Sequence, residues 1–164
     1  MKQGLLSLSE QRNIDNQLIE KVLKTICAIA NNGPNRLGKV IIGVTDKDAD
    51  SERVRNLDNI EAKKIGKRFV VGVNREAKVL GLSVENYLSK WKDSIRNSEL
   101  SKPLKDSVLS SIDFNGFYGL GVIVITIPPQ RELSYFGDNV YWRSADSTEL
   151  ATTPKQIAEL AKRF

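Results

Sequence analysis

The chain has 164 residues, a length that suits one domain with a buried core, and we expect a single domain over residues 1–164. Hydrophobic residues make up 40% and charged residues 27%, which is typical of a globular protein and argues against disorder. The absence of histidine and the single cysteine, Cys27, exclude Ser–His and Cys–His catalysis, cysteine-built zinc sites and an intrachain disulfide.

The apolar residues indicate no membrane segment. No apolar run approaches the roughly 18 residues that a membrane span needs, and residues 1–7 lack the apolar core of a signal peptide. We therefore expect a cytoplasmic protein without a membrane partner.

The first half of the chain predicts a helix between two strands. Residues 4–9 alternate weakly and are typical of an edge strand. Between residues 14 and 30 an apolar residue recurs every four positions, which predicts a helix with Asn13 or Asp15 as its N-cap. Residues 40–44 are β-branched and apolar on both faces, which indicates a central strand.

The second half predicts further helices and strands in irregular order. Residues 51–66 are typical of a loop and an amphipathic helix, and residues 83–97 have apolar side chains at helical spacing. Thr153 and Gln156 form a capping-box pattern for a C-terminal helix. Since no strict β–α–β alternation appears, we predict an α+β fold with a mixed, largely antiparallel sheet covered by helices. Strands are predicted at residues 69–73, 105–114, 118–127 and 140–143.

The net charge of +5 is concentrated in one segment. Between Glu61 and Lys78 there are six cations and two acids, so the 18 residues carry a net charge of +4 (six minus two). Such a stretch suits binding to a phosphate backbone, because each neutralised phosphate releases counterions. The alternative is an ordinary solvated helix face. The cations are Lys63, Lys64, Lys67, Arg68, Arg75 and Lys78.

Four motifs follow one another along most of the chain. Glu10-Gln11-Arg12 comes first, an apolar helix ends on Asn31-Asn32, and a strand then ends at Asp46. The fourth motif, residues 140–148, places Arg143 after an aromatic strand. In this order the motifs resemble the Schlafen AlbA-like domain family, although the loop at residues 33–38 is longer than the glycine pair of the family. The resemblance implies an α+β nucleic-acid-binding domain.

The resemblance implies a phosphate-binding surface built from cations, amides and hydroxyls. Arg and Lys neutralise phosphates, and Asn and Ser add short hydrogen bonds. The alternatives are that the two asparagines cap a helix and that Arg143 pairs with Asp146. We expect one of Tyr141 and Trp142 to face outward, where it could stack on an unpaired base. The expected contacts are Asn31, Asn32, Arg36, Lys39, Lys63, Lys64, Lys67, Arg68, Arg75, Arg143, Ser144 and Ser147.

Some Schlafen proteins are RNA endonucleases in which two glutamates and one aspartate hold divalent cations, so the resemblance makes catalysis an alternative function. Glu10 and Asp46 match one glutamate and the aspartate, but Leu5 stands where the second glutamate is expected. We therefore expect a binding domain rather than an enzyme, with no cofactor. The alternative is an RNA or DNA endonuclease that uses Glu10 and Asp46 with Mg²⁺ or Mn²⁺.

The expected partner is nucleic acid, either DNA or RNA. Members of the family often form dimers or lie beside other domains in longer chains, so the resemblance also implies a homodimer or a larger multidomain context. The third alternative is a protein-interaction or oligomerisation module that has lost its nucleic-acid surface.

Overall fold

The helices and strands follow an irregular order in the computed structural model, which describes all residues from 1 to 164. This confirms the α+β class. The helices are α1 (Asn16–Ala30), α2 (Asp48–Asp58), α3 (Asn74–Val79), α4 (Val84–Arg96), α5 (Lys102–Leu109) and α6 (Pro154–Ala161). The strands are β1 (Gly38–Ile42), β2 (Val44–Thr45), β3 (Lys63–Ile65), β4 (Arg68–Val70), β5 (Ile112–Asn115), β6 (Val122–Ile127), β7 (Tyr141–Ser144) and β8 (Ser147–Leu150).

The strands form three small sheets. One has the order β1-β6-β5, the second the order β2-β4-β3, and β7 pairs with β8 alone. The second and third sheets are antiparallel. The strand predicted at residues 40–44 is divided between two sheets, because Gly43 adopts a φ of +99° between β1 and β2.

The chain divides into two compact units, and each unit is assembled from three separate stretches of sequence. The first unit comprises Met1–Ile19, Val40–Trp91 and Asp113–Ile125. The second unit comprises Glu20–Lys39, Lys92–Ile112 and Thr126–Phe164. In the second unit Val140, Ala151 and Leu160 form a buried cluster, against which Trp142 packs.

Backbone segments approach each other closely at one point of the first unit. The N–H groups of Val71 and Gly72 donate to the carbonyl oxygen of Gly43, both at 2.9 Å. Gly72 has a φ of +76°, and a Cβ at this position would lie 2.1 Å from the carbonyl oxygen of Leu120. No other residue fits here, so the loop that precedes β6 is tied directly to the end of β4.

Two predicted helix starts are confirmed. The Asp15 carboxylate accepts a hydrogen bond from the N–H of Leu18 at 3.0 Å, so Asp15 rather than Asn13 caps α1. Thr153 and Gln156 form the predicted capping box at the start of α6. None of the six helices is long and apolar enough to cross a membrane.

Two predicted strands are wrong. Residues 102–109 form α5, in which Leu104 and Val108 are buried one turn apart. Of the strand predicted at residues 105–114, only residues 112–114 are extended, as part of β5. Residues 4–9 form no strand and make a single isolated bridge between Leu6 and Ile14.

A chain of buried charged side chains holds the first unit together. Arg75 donates to Oδ2 of Asp58 at 2.5 Å, and Arg12 donates to the same oxygen. The side chains of Arg75 and Asp58 are each 1% exposed. Arg75 also donates to the carbonyl oxygen of Gln3 at 2.8 Å, and Glu76 accepts from the N–H of Leu5 at 2.6 Å. The N-terminal segment is thus bound to the last residue of α2 and to the start of α3.

We expect Arg75→Met to lower the free energy of unfolding by about 3–5 kcal/mol, because it removes one of the two cations on the buried Asp58 and leaves the fully buried Glu76 without its cationic partner. The matched control is Arg96→Met, which removes the exposed pair of Arg96 with Asp93 and is expected to cost about 0–1 kcal/mol. Urea denaturation measures both values. Equal losses in the two variants would contradict the role given to the buried pair.

The Cys27 thiol is fully buried in α1, with its sulfur 3.3 Å from the carbonyl oxygen of Ser134. Burial raises the pKa of the Cys27 thiol to about 11. The thiol therefore stays neutral at pH 8, where a reactive cysteine would be partly ionised.

Consequently, we expect Cys27 to resist alkylation by iodoacetamide at pH 8 in the native protein and to react fully in guanidinium chloride. Since the pKa is raised, reactivity in the native state should increase only as the pH is taken well above 8. Mass spectrometry after timed labelling measures the modified fraction. Rapid labelling of the native protein at pH 8 would be inconsistent with this burial.

Candidate functional site

The strands β3 and β4 form a hairpin over residues 63–70, which we call the basic hairpin. All four of its cationic side chains are exposed, and residues 63–68 contain no acid. None of the four cations forms a salt bridge. The positive charge of the hairpin is therefore exposed to solvent and is not paired in salt bridges. Its cations are Lys63, Lys64, Lys67 and Arg68.

The two faces of the basic hairpin differ. Lys63 and Ile65 are two positions apart in β3 and therefore share one face of the hairpin. Arg68 lies on the same face because it is directly opposite Ile65. Lys64 lies on the other face, where its Nζ is 5.4 Å from the ring centroid of Phe69. Phe69 lines a cavity of about 260 Å³. The acids that line this cavity are Asp48, Glu52 and Glu61.

Arg75 does not belong to this surface, although the sequence predicts it to be a phosphate contact. Its side chain is buried and committed to Asp58, as described above. The exposed cations of the segment are therefore the four of the hairpin and Lys78, which lies in α3.

Tyr118 is a residue of this region that the sequence analysis did not single out. The residue is 79% exposed, and the Nζ of Lys63 lies 5.5 Å from the centroid of its ring. Phe117 packs edge-on against it with a centroid distance of 4.8 Å. Two neighbouring aromatic residues inside a glycine-rich turn were the available signal, because a turn seldom needs a large ring for packing.

In the second unit, β7 and β8 form a hairpin over residues 141–150, which we call the arginine hairpin. Arg143 donates from Nη1 to Oγ1 of Thr148, which is directly opposite, at 2.9 Å. It forms no salt bridge with Asp146, so the ion pair considered as an alternative is not formed. Ser144 and Ser147 are exposed and opposite each other at the turn. Three predicted contacts thus lie on one hairpin.

Helix α1 lies beside the arginine hairpin. The hydroxyl of Thr25 is 3.2 Å from that of Thr148, and the Nζ of Lys24 lies 5.5 Å from the ring centroid of Tyr141. A hydrogen bond to Glu20 raises the pKa of Lys24 above its ordinary value. Lys24 is therefore a permanent cation at neutral pH, but one that is paired.

Asn31 is fully buried at the end of α1, and its side-chain amide is used within the second unit. Its Nδ2 donates to the carbonyl oxygens of Ser134 at 3.0 Å and Tyr141 at 2.8 Å. Its Oδ1 accepts from the N–H of Ser134 at 2.8 Å. The amide therefore fixes β7 to α1 and has no exposed atom to offer a ligand.

The segment that follows α1 carries the remaining predicted contacts. Asn32 is half-buried, whereas Arg36 and Lys39 are exposed. Neither cation forms a salt bridge. These residues belong to the second unit, and the basic hairpin belongs to the first.

The carboxylates predicted for a metal site lie in the first unit. Asp46 is exposed and lines a cavity of about 500 Å³ together with Asp15 and Asp50. Glu10 is exposed and is not among the residues that line this cavity. The structure contains no group of three or more His, Cys, Asp or Glu side chains placed to hold a metal ion. The two carboxylates of the predicted pair, Glu10 and Asp46, therefore do not line the same cavity.

A family model described as Schlafen, AlbA_2 matches residues 5–152. No curated protein matches the chain. Among solved structures, the crystal structure of the DIP2311 protein from Corynebacterium diphtheriae is similar, with a TM-score of 0.51 and 15% sequence identity. That match covers 92% of this chain and 21% of that protein, and at this identity it shows the fold alone.

All four motifs quoted from the sequence lie within the matched residues, and the match confirms the resemblance to the family. Because it covers most of the sequence, the chain belongs to the Schlafen AlbA_2 family.

Proposed function

We propose that this chain is a nucleic-acid-binding domain that contacts the phosphate backbone through the basic hairpin. The observation that carries the proposal is the set of four exposed cations on one hairpin, none of them in a salt bridge. When Lys and Arg side chains neutralise phosphates, the cations condensed on the nucleic acid are released, and this release favours binding. The family also suggests a nucleic-acid-binding role.

Exposed cations elsewhere provide the contrast. Arg96, Lys102 and Lys162 each pair with an acid one helical turn away in sequence. Their charge is locally balanced, so they attract a polyanion less strongly than the basic hairpin does.

The arginine hairpin supplies a second set of contacts. The guanidinium of Arg143 provides a planar fork of donors for phosphate oxygens, and the hydroxyls of Ser144 and Ser147 add short donors beside it. Arg36 and Lys39 contribute charge from the segment after α1. Asn32 is the remaining polar contact. Asn31 holds β7 in place and does not contact the nucleic acid.

No observation favours the endonuclease alternative. Its metal would need carboxylates that converge, whereas Glu10 lies outside the cavity that Asp46 lines, and no group of three potential ligands is present. We therefore propose no metal-dependent step for this chain.

We expect Lys67→Gln/Arg68→Gln to weaken nucleic-acid binding and to reduce the slope of log affinity against log salt by about 2, because each lost phosphate contact removes about 1. Fluorescence anisotropy of labelled DNA and RNA in EDTA, at several salt concentrations, measures both quantities. The matched control is Lys102→Gln/Lys162→Gln, which removes the same net charge from paired positions. If both double variants lose the same affinity and slope, net charge rather than the basic hairpin controls binding.

For the second set of contacts, Arg143→Gln should weaken binding and reduce the salt slope by about 1, with little change in unfolding free energy. Asn31→Ala should lower the free energy of unfolding by about 2–4 kcal/mol, because it leaves buried groups of Ser134 and Tyr141 without partners. It should change the affinity and the salt slope little. Anisotropy and urea denaturation of both variants separate the two roles. Wild-type affinity in Arg143→Gln would remove the arginine hairpin from the binding surface.

A further inference from the structure

Tyr118 has an environment that its packing does not explain. With 79% of its surface exposed, it is the most exposed of the large apolar side chains in the structure. An aromatic ring in water forgoes the free energy that its burial would provide. Its contact with Phe117 is an edge-on one, so the pair leaves ring surface available.

The backbone holds Tyr118 firmly in this position. Asn74 donates from Nδ2 to the carbonyl oxygen of Gly119 at 2.6 Å, and the N–H of Val73 donates to the carbonyl oxygen of Leu120 at 3.0 Å. Tyr118 itself has a φ of +47°, in the left-handed region that large residues seldom adopt. The turn is thus anchored directly after Tyr118, and it keeps a bulky residue where glycine would be less strained.

The ring lies next to the positive face of the basic hairpin. Lys63 approaches the ring, and Ile65 and Arg68 share the face of the hairpin on which Lys63 lies. Ile65 is 53% exposed, so this face combines apolar surface with cations. An aromatic ring beside cations is the arrangement that recognises a base together with its phosphate.

We propose that Tyr118 is a stacking platform for a base of an unpaired nucleic-acid strand whose phosphates lie along Lys63 and Arg68. The proposal rests on the nucleic-acid-binding function proposed above and adds the class of ligand. In a duplex the bases stack on one another and have no free face, so the ring can engage only an unpaired base. The charge of the hairpin favours a polyanion over a neutral peptide as the occupant.

The test compares three probes: an oligothymidylate of about 12 nucleotides, an abasic strand of the same length, and a duplex. Tyr118→Leu removes the aromatic face but keeps an apolar side chain. We expect it to weaken oligothymidylate binding about 5- to 50-fold, with abasic and duplex binding and the salt slope unchanged. Tyr118→Phe keeps the ring and should retain wild-type affinity. Tyr135→Leu, which alters another exposed tyrosine, is the matched control and should change nothing.

Each result supports or overturns the proposal. A loss specific to the oligothymidylate, with rescue by Tyr118→Phe, supports it. If all three probes bind with salt dependence and Tyr118→Leu weakens none of them, or weakens them equally, stacking is overturned while nucleic-acid binding stands. If the wild-type protein binds no probe at low salt, the nucleic-acid-binding function itself fails, and stacking fails with it.

Discussion

One buried carboxylate, that of Asp58, constrains the first unit. Arg12 and Arg75 reach the same oxygen from segments that are far apart in sequence, and Asp58 is itself the last residue of α2. Removal of either arginine would take away one of the two cations beside this buried carboxylate, which costs more than the loss of a surface pair. The two ion pairs to Asp58 therefore join the N-terminal segment, α2 and α3.

This constraint divides the cations of the chain into two groups with different uses. The side chains of Arg12 and Arg75 are buried, and both donate hydrogen bonds to the carboxylate of Asp58. Arg68, seven residues before Arg75 in the sequence, is exposed with Lys63 and Lys67 on the basic hairpin. The same residue types thus stabilise the fold in one place and remain free for a polyanion in another. The Asn31 amide has the corresponding interior role in the second unit, where it joins α1 to β7.

The sequence predicted most reliably those elements whose signals are local. The apolar spacing of α4 and the capping box at Thr153 depend on residues within a few positions of each other, and both are present in the structure. The strand predicted at residues 105–114 was wrong because apolar residues in a short segment fit a strand as well as a helix. Burial of Leu104 and Val108, which decides between the two, depends on distant segments.

The α+β class, the concentration of charge between residues 61 and 78 and the order of the family motifs were determined by the sequence itself, because each depends on residue identity and spacing. The tertiary structure alone decided which of those charges are available. Arg75 meets a buried carboxylate and Arg68 does not, Asn31 is enclosed while Arg36 is exposed, and Tyr118 is held in water beside Lys63. Burial and ion pairing are set by long-range contacts, and no local pattern encodes them.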